Sequence, residues 1–423
     1  MSTRMIRVSP FPEAQRARAA QSFVTRRVPL DAMRTLLSGG LRPRTGDLVV
    51  ARIARLGHHR RVEHANGRRA NLHLGDDVIA AYADRYATDQ YESYVPRALG
   101  RSNLVTSGGI ISRVQSRSAG IRGATEIVPV GLVGDERGRP LNLTDFGLPR
   151  IDSPSVPRPP TVAVFGTAMN AGKTTTIHHL LHGLAKAGAK PGAAKITGTG
   201  SGHDYWVMLD AGAHRMLDFT DVGLASSFKH PIARLEDAAE QLVAHLAEDG
   251  CDIAFVEIAD GVYQVENQSL IRSDRIHALI DRVVFAASDA MGAVHGVETL
   301  RRNGFTVAAV SGTLTRSPLA IRETREALGL PVLGLDDLGD PRITASILGM
   351  DAVGLTMPTD QPEPWEIVVP GLIDADGFVC DDGEDDGQPP VISATALPVT
   401  KFHTPVVSVA GVRQDTDFVL QEA

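Results

Sequence analysis

The second half of the chain alternates between short apolar runs and longer segments whose apolar residues recur at helical spacing. This alternation predicts a parallel sheet with crossover helices. The predicted strands are residues 161–165, 193–196, 253–257, 282–287, 306–311 and 331–335. The predicted helices include residues 235–248, 292–303 and 320–328. We therefore expect an α/β domain that spans residues 161–355.

The first third of the chain has a different pattern. Short β-like runs at residues 48–53, 70–74, 78–82 and 127–133 predict a small, mostly β domain over residues 1–148, with a helical segment at 30–37. Five prolines within residues 149–160 predict a stiff, extended linker. Residues 356–423 are expected to form a β-like C-terminal extension, which an acidic loop at 381–387 interrupts.

Composition and charge narrow the class of protein. The chain has 423 residues, 43% of them hydrophobic, and a formal net charge of −7, so no overall basic field favours nucleic acid or an anionic membrane. Its two cysteines, Cys251 and Cys380, stand in unrelated contexts, which argues against a disulfide framework or a thiolate metal cluster. The sparse cysteines fit a reducing cytoplasm, so we expect a cytoplasmic protein without nucleic-acid partners. We also expect no membrane partner, because no apolar run approaches the roughly 20 residues of a membrane span.

The segment 161–176, TVAVFGTAMNAGKTTT, is an apolar strand that leads through a loop of small residues into a helix. Gly172, Lys173 and Thr174 end a phosphate loop (P-loop), in which backbone N–H groups cradle phosphates, the Lys reaches them and the Thr hydroxyl binds Mg²⁺. Five residues rather than four separate Gly166 from Gly172, so Thr167 stands where the common motif begins with Gly. The predicted nucleotide-binding residues are Gly166, Thr167, Asn170, Ala171, Gly172, Lys173, Thr174 and Thr175.

Acidic residues at a strand end are the first candidates for holding the metal ion. Glu257 ends the predicted strand 253–257, and Asp260 lies in the loop that follows. Ligands of open α/β sheets bind at the carboxyl ends of the strands, and a carboxylate buried there needs a cation. We therefore predict that Glu257 is a catalytic residue and a Mg²⁺ ligand, the alternative being a structural pair with an arginine.

Two further polar stretches follow predicted strands. In the first, KITGTGSGHDYW, Lys195 could neutralise charge on a transferred phosphoryl group, and Asp204 could complete the Mg²⁺ shell or activate a nucleophile. A glycine-rich surface turn is the alternative interpretation. In the second, residues 217–228, Asp218 and Asp221 could either hold an acceptor substrate or cap a helix.

Histidines and arginines suggest weaker hypotheses. The adjacent pairs at 58–59 and 178–179 predict no structural metal, because adjacent side chains diverge on a strand or a helix. Arginines are dense between residues 41 and 70 and could bind RNA or a phosphorylated substrate. The aromatic platforms of single-strand binders are missing from that window, so we expect no nucleic-acid partner.

The loop 166–174 resembles the wide-spaced phosphate loop of the dethiobiotin synthetase family of P-loop NTPases, a group that includes cobyrinic acid a,c-diamide synthase. Lys195, with the glycine loop and Asp204 after it, is similar to that family's second strand and Gly-Pro-Asp-Tyr loop. The Val-Glu at 256–257 is similar to the strand that supplies a Mg²⁺ ligand, and residues 309–312 and 330–334 resemble the motifs beside the base. The resemblance covers residues 161–340 and leaves the N-terminal β-rich domain unrecognised.

The resemblance implies an ATP- and Mg²⁺-dependent carbon–nitrogen ligase or kinase. Such an enzyme phosphorylates a small carboxylate or carbamate, which an amine then attacks. It also implies that Lys173, Lys195, Asp204 and Glu257 are catalytic, and that Thr174, Asp204 and Glu257 serve Mg²⁺. Because these relatives usually dimerise near the active site, a homodimer or higher homo-oligomer is expected.

The chain departs from the family at two places, which leaves alternatives open. The family has an Asp where this chain has Ala168, and its adenine-reading Asn has no obvious counterpart near Ser311 and Gly312. The nucleotide is therefore expected to be ATP, with GTP possible. A D-glutamate N-acetyltransferase-type family has a similar loop and a fused N-terminal domain, which keeps an N-acyltransferase as one alternative. A nucleotide-dependent switch or metallocentre chaperone GTPase is another, although such chaperones usually carry Cys/His metal sites that are not evident in this sequence.

Overall fold

The computed structural model describes residues 5–152 and 154–349, all within one compact unit. Consecutive parts of the chain form a large, mostly antiparallel sheet and then a parallel sheet flanked by helices. The predicted fold class is confirmed: an α/β P-loop domain with a parallel sheet and crossover helices follows a smaller, mostly β region. The predicted extension at residues 356–423 lies outside the described residues.

The first sheet, here called the β-rich region, has ten strands. Eight follow the order β1-β3-β12-β4-β7-β11-β9-β8, while β10 pairs with β11 and β12, and β2 pairs with β7. Strands β5 and β6 form a separate ribbon. Its strands are β1 Ile6–Pro10, β2 Ala20–Gln21, β3 Thr35–Gly39, β4 Leu48–Arg55, β5 Arg61–Glu63, β6 Arg69–Asn71, β7 Asp77–Tyr82, β8 Arg85–Tyr86, β9 Tyr91–Tyr94, β10 Ser102–Leu104, β11 Ile110–Arg117 and β12 Thr125–Gly134. Helix α1, Glu13–Arg18, and the 3-10 turns Phe23–Thr25, Leu30–Ala32 and Leu143–Phe146 complete it.

The second sheet, here called the α/β region, has the strand order β15-β14-β16-β13-β17-β18, and every neighbouring pair is parallel. Its strands are β13 Thr161–Gly166, β14 Pro191–Thr197, β15 Arg215–Asp218, β16 Ile253–Ile258, β17 Arg282–Ala286 and β18 Val307–Ser311. Its helices are α2 Lys173–Lys186, α3 Gly202–Asp210, α4 Ile232–Glu248, α5 Val265–Ile271, α6 Asp274–Leu279, α7 Ala290–Arg302, α8 Pro318–Leu328, α9 Leu335–Gly339 and α10 Pro341–Leu348, with 3-10 turns at Phe219–Val222 and Thr313–Arg316.

The alternation of side chains along the central strand explains why this sheet is covered on both faces. Val162 and Val164 of β13 pack into one apolar cluster, whereas Ala163 and Phe165 pack into the other. Strands buried on both faces read as continuous apolar runs, which is the pattern seen in the sequence. Because β14, β16 and β13 are neighbours, the loops that follow them meet at one edge of the sheet.

Three sequence expectations are wrong in detail. The segment 30–37 is a 3-10 turn followed by β3, which pairs with both β1 and β12. Residues 331–335 form only a single bridge, Val310 to Val332, because the Asp337 carboxylate accepts the N–H of Gly334 at 2.8 Å and helix α9 begins at the next residue. Strand β15 was not predicted, since its four residues RMLD contain only a two-residue apolar run.

The described residues of the proline-rich segment 149–160 belong to no helix or strand and are attached to the α/β region. Ile151 exchanges hydrogen bonds with the Gln241 side chain of α4, and Arg158 pairs with Asp281 at 2.6 Å. Within the described ranges, 5–152 and 154–349, no helix is long and apolar enough to cross a membrane.

Candidate functional site

The P-loop lies between β13 and α2, and its backbone turns through two residues of positive φ. Gly172 has φ +102°, and a Cβ there would lie 3.0 Å from the Cα of Gly312, so only glycine fits without strain. Asn170 also has a positive φ of +64°. Helix α2 begins at Lys173 without a side-chain cap, so its first N–H groups remain available to an anion.

Lys173 is the central cation of this loop. Its side chain is only 5% exposed, and its Nζ donates to the carbonyl of Ala168 at 2.8 Å, inside the loop itself. Burial lowers the pKa of Lys173, an effect that the nearby Glu257 and Asp260 carboxylates oppose. The loop therefore holds a preformed positive centre where phosphate oxygens would lie.

Glu257 and Thr174 form the candidate metal site. Glu257 lies near the carboxyl end of β16, opposite Val164 of β13, and is 3% exposed. Its Oε2 accepts a hydrogen bond from Thr174 Oγ1 at 3.2 Å. Burial raises the pKa of Glu257, and the Lys195 ammonium partly offsets that rise.

The donor set fits Mg²⁺ rather than a metal enclosed by protein ligands. No group of three or more His, Cys, Asp or Glu residues that could hold a metal ion occurs in the part of the chain that the structure describes. Mg²⁺ is commonly bound by one or two carboxylates together with substrate phosphates and water. A hydroxyl and a carboxylate at the mouth of a phosphate loop match that requirement.

Lys195 and Asp204 complete the cluster from the neighbouring strand. Lys195 of β14 stands beside Glu257 of β16 in register, and its Nζ is 3.6 Å from Glu257 Oε1. The same Nζ donates to the carboxylate of Asp204, in the first turn of α3. Burial alone would lower the pKa of Lys195, but the Asp204 and Glu257 carboxylates raise it, so it remains an ammonium.

The structure thus places the predicted catalytic and metal residues and most of the predicted P-loop residues around one cleft, although Gly166, Thr167 and Ala171 are not among the residues that line it. Gly166 ends β13, Thr167 to Gly172 form the loop, and Thr175 follows Thr174 in the first turn of α2. Asp260, in the loop after β16, is partly buried, and this burial raises its pKa despite the Lys173 ammonium. Their joint position follows from the parallel strand order, while their roles remain predictions.

The opposite wall of the cleft comes from the β-rich region. The cavity has a volume of about 840 Å³, and His59, Arg85 and Gln90 line it together with the P-loop. The two walls also touch directly, since Asn170 Nδ2 of the P-loop donates to the Asp89 carboxylate at 2.8 Å. The turn that carries Asp89 and Gln90 joins β8 to β9.

The wall residues did not stand out in the sequence. Arg85 lies outside the arginine-dense window of residues 41–70, and His59 was read only as one of an adjacent histidine pair. A usable signal was Arg85 itself, a charged residue that starts a short strand directly after the apolar run of β7.

Asp218 and Asp221 have a structural role. Asp218 accepts the N–H of Thr220, and Asp221 accepts the N–H of Asp218, so the two carboxylates form a capping box. Both also pair with Arg26 of the β-rich region, at 3.4 and 2.7 Å. Neither lines the cleft, so the helix-cap interpretation is the one that the geometry favours over an acceptor site.

Comparison with known proteins gives only distant likenesses. No family model matches the chain, and no curated protein matches it. Among solved structures, the signal recognition particle receptor FtsY from Elizabethkingia anophelis is 14% identical, with a TM-score of 0.32, and the match covers 47% of this chain and 66% of the receptor.

Two further solved structures are equally distant. The signal recognition particle 54 kDa protein from Aeropyrum pernix, in complex with GDP, is 20% identical with a TM-score of 0.31, over 47% of this chain and 49% of that protein. A DUF1611 family protein from Anabaena variabilis is 13% identical with a TM-score of 0.33, over 48% of this chain and 62% of that protein. The matches span less than two thirds of each of these three proteins.

Proposed function

We propose that the protein is a Mg²⁺-dependent ligase or kinase that uses ATP, or alternatively GTP, to phosphorylate a small carboxylate. The observation that carries the proposal is the meeting of Lys173, Thr174, Glu257, Lys195 and Asp204 at one edge of a cleft that a second region of the same chain closes. Phosphoryl transfer depends mainly on positioning and on neutralising charge. This cluster is suited to both.

Each residue of this cluster would have a role that follows from its position. The free N–H groups at the start of α2, with Lys173, would hold the phosphates. Thr174 and Glu257 would hold Mg²⁺, which when bound neutralises charge on the phosphate oxygens. Lys195, kept as an ammonium by Asp204 and Glu257, would stabilise the charge that develops during transfer.

A carboxylate acceptor suits this chemistry better than a hydroxyl. A carboxylate is already deprotonated at neutral pH, so its phosphorylation requires no general base. Asp204 is poorly suited to be such a base, because burial would raise its pKa but the paired Lys195 ammonium holds it below its usual value. Asp260 makes no ion pair among the described residues and has a raised pKa, so it could accept the proton of an attacking amine.

The contact between the two walls favours an enzyme over a nucleotide-dependent switch. A nucleotide-dependent switch needs segments beside the γ-phosphate that are free to reorder and reach another protein. Here the P-loop faces a wall of the same chain, and Asn170 is bonded to Asp89 of that wall. The enclosed volume of about 840 Å³ falls within the range of small-molecule sites.

The test is the variant Lys173→Ala. Loss of the ammonium should weaken binding of Mg-ATP and Mg-GTP by about 10- to 150-fold for each hydrogen bond lost, since hydrogen bonds to charged groups contribute roughly 1.5–3 kcal/mol each. Titration calorimetry with each nucleotide measures the affinity, and circular dichroism reports the fold. Lys186→Ala, at the exposed end of the same helix, is the matched control and should bind like the wild type.

Two results would overturn the proposal. One is wild-type protein that binds neither Mg-nucleotide, above all if acetyl-CoA binds instead, which would favour the acyltransferase. The other is nucleotide turnover that proceeds at its full rate in the absence of any carboxylic acid and does not rise when acids and amines are added, which would favour the switch.

A further inference from the structure

The wall of the cleft opposite the P-loop contains a buried arginine without a carboxylate partner. Arg85 begins β8, is 5% exposed and lines the same cavity as Lys173. Its Nη1 donates to the carbonyl of Val105, and its Nη2 donates to Gln90 Oε1 at 2.7 Å. Its buried Nε–H has no acceptor, and no carboxylate of residues 5–152 or 154–349 forms an ion pair with it.

Two other cations of the cleft, Lys195 and Arg69, differ from Arg85 in this respect, whereas Lys173 of the P-loop and the exposed Arg316 form no ion pair within residues 5–152 and 154–349. Lys195 is paired with Asp204 and Glu257, and Arg69 of the β-rich region is paired with Glu63 at 2.7 Å. Arg85 therefore retains a positive charge and a free donor, held in place by two neutral acceptors. A buried charge without a partner costs several kcal/mol, and such sites commonly bind a ligand of opposite charge.

Arg85 remains charged although it is buried. Burial lowers its pKa to about 10, so the guanidinium is protonated at neutral pH, and the nearest opposing field is that of Asp260. The planar guanidinium presents several N–H donors and matches a carboxylate in shape and charge. An anion at Arg85 would satisfy both the charge and the unpaired Nε–H.

The surroundings of Arg85 suit a carboxylate rather than a polyphosphate. The adjacent wall residues His59, Thr106 and Ser107 offer neutral polar groups. His59 is neutral, because burial and the Arg85 charge lower its pKa to about 3. Arg69, the other arginine that lines this wall, is already paired with Glu63, so Arg85 is the unpaired cation among the described residues of this wall and balances one negative charge. The phosphate chain has its own site of backbone N–H groups and Lys173 on the other wall.

We infer that Arg85, positioned by Gln90, binds a second carboxylate of the acceptor, so that the substrate class is a small dicarboxylic acid. This inference rests on the proposed function, in which the other carboxylate is the one phosphorylated beside Lys173 and Lys195. Arg85 is fixed to the β-rich region through Val105, so the group that it binds stays on that wall. The acceptor must then have one acidic group for each wall of the cleft.

The test uses unbranched dicarboxylates from oxalate to adipate and their α-amino derivatives as probes, with acetate and butyrate as monocarboxylate controls. Each is titrated by calorimetry into wild-type protein that is saturated with Mg²⁺ and a non-hydrolysable nucleotide analogue. We expect at least one dicarboxylate to bind, and to bind about 10- to 100-fold more weakly to Arg85→Gln. Arg85→Lys, which keeps the charge but loses the planar donors, should lie between the two.

Three controls separate this inference from the proposed function. Arg137→Gln, an exposed arginine away from the cleft, should bind the dicarboxylate like the wild type. Affinity for the Mg-nucleotide should remain within about threefold in Arg85→Gln, which also shows that the variant is folded. Failure of the wild type to bind the nucleotide would contradict the proposed function, whatever Arg85 does.

The inference is overturned by any of three results. No dicarboxylate binds to the nucleotide-saturated wild type; the monocarboxylates bind as tightly as the dicarboxylates; or Arg85→Gln weakens nucleotide binding as much as acid binding. The last result would assign Arg85 to the phosphates. Folded Arg85→Gln that binds the acid with wild-type affinity would equally exclude the assignment.

Discussion

The two walls of the cleft differ in how the chain builds them. In the α/β region, the cluster comes from loops that directly follow strands β13, β14 and β16, so each group stands close to a recognisable motif. In the β-rich region, His59, Arg85 and Thr106 come from separate strands and loops that converge only in the folded sheet. The proposed nucleotide site is thus encoded locally, whereas the proposed acceptor wall depends on long-range packing.

The walls also differ in electrostatics. Lys195 of β14 lies between the carboxylates of Asp204 and Glu257, so its positive charge is neutralised before any ligand binds. Arg85 has only neutral hydrogen-bond acceptors among the described residues, and the Asp260 carboxylate acts on its charge without forming an ion pair with it. The difference suggests that the α/β wall is preorganised for chemistry, and that the β-rich wall is completed by its ligand.

The β-rich and α/β regions must stay in contact for their two walls to form one cleft. We expect the largest effect on stability from a substitution at this contact between the regions. Arg26 lies between Asp218 and Asp221 and stacks over the Phe23 ring at 4.0 Å. Arg26→Met should leave two buried carboxylates without their cation and lower the free energy of unfolding by about 3–5 kcal/mol. Urea unfolding followed by circular dichroism measures the change.

Arg27→Met provides the matched control for this joint. Arg27 is 30% exposed, and its guanidinium is 3.6 Å from Asp221, so its loss should cost less than about 1 kcal/mol. Equal losses in the two variants would contradict the role assigned to Arg26. A second unfolding transition in Arg26→Met would sharpen the comparison, because it would separate the stability of the two regions.

The sequence predicted the α/β wall well and the β-rich wall poorly, for physical reasons. Lys173, Thr174 and Glu257 could be located because a P-loop needs a strand, small residues and a helix in that order. Strand β15 formed without having been predicted, and the strand predicted at 331–335 is only a single bridge. Whether such a short segment forms a strand depends on the segments that pack beside it. Arg85 could not be assigned, since neither its burial nor its missing partner is a property of the local sequence.

The prediction with the next largest effect tests whether the α/β wall holds the metal ion. Glu257→Gln keeps the size of the side chain and its contact with Thr174 but removes the charge. We expect the Mg²⁺ concentration for half-maximal nucleotide turnover to rise about 10- to 100-fold, as for losses around other metal sites. Glu323→Gln, on the exposed face of α8, is the control, and an unchanged Mg²⁺ titration of Glu257→Gln would remove Glu257 from the site.

The smallest effect concerns the direct contact between the walls. The hydrogen bond from Asn170 to Asp89 is exposed, so Asp89→Ala should weaken Mg-nucleotide binding by no more than about tenfold, the equivalent of roughly 0.5–1.5 kcal/mol. Asn170→Gly removes the same bond and tolerates the positive φ of that position, whereas alanine would add strain. If the contact couples the walls, the double variant should bind the nucleotide as the single variants do. Strictly additive losses would mean that each residue acts separately, and the P-loop would then be independent of the wall that faces it.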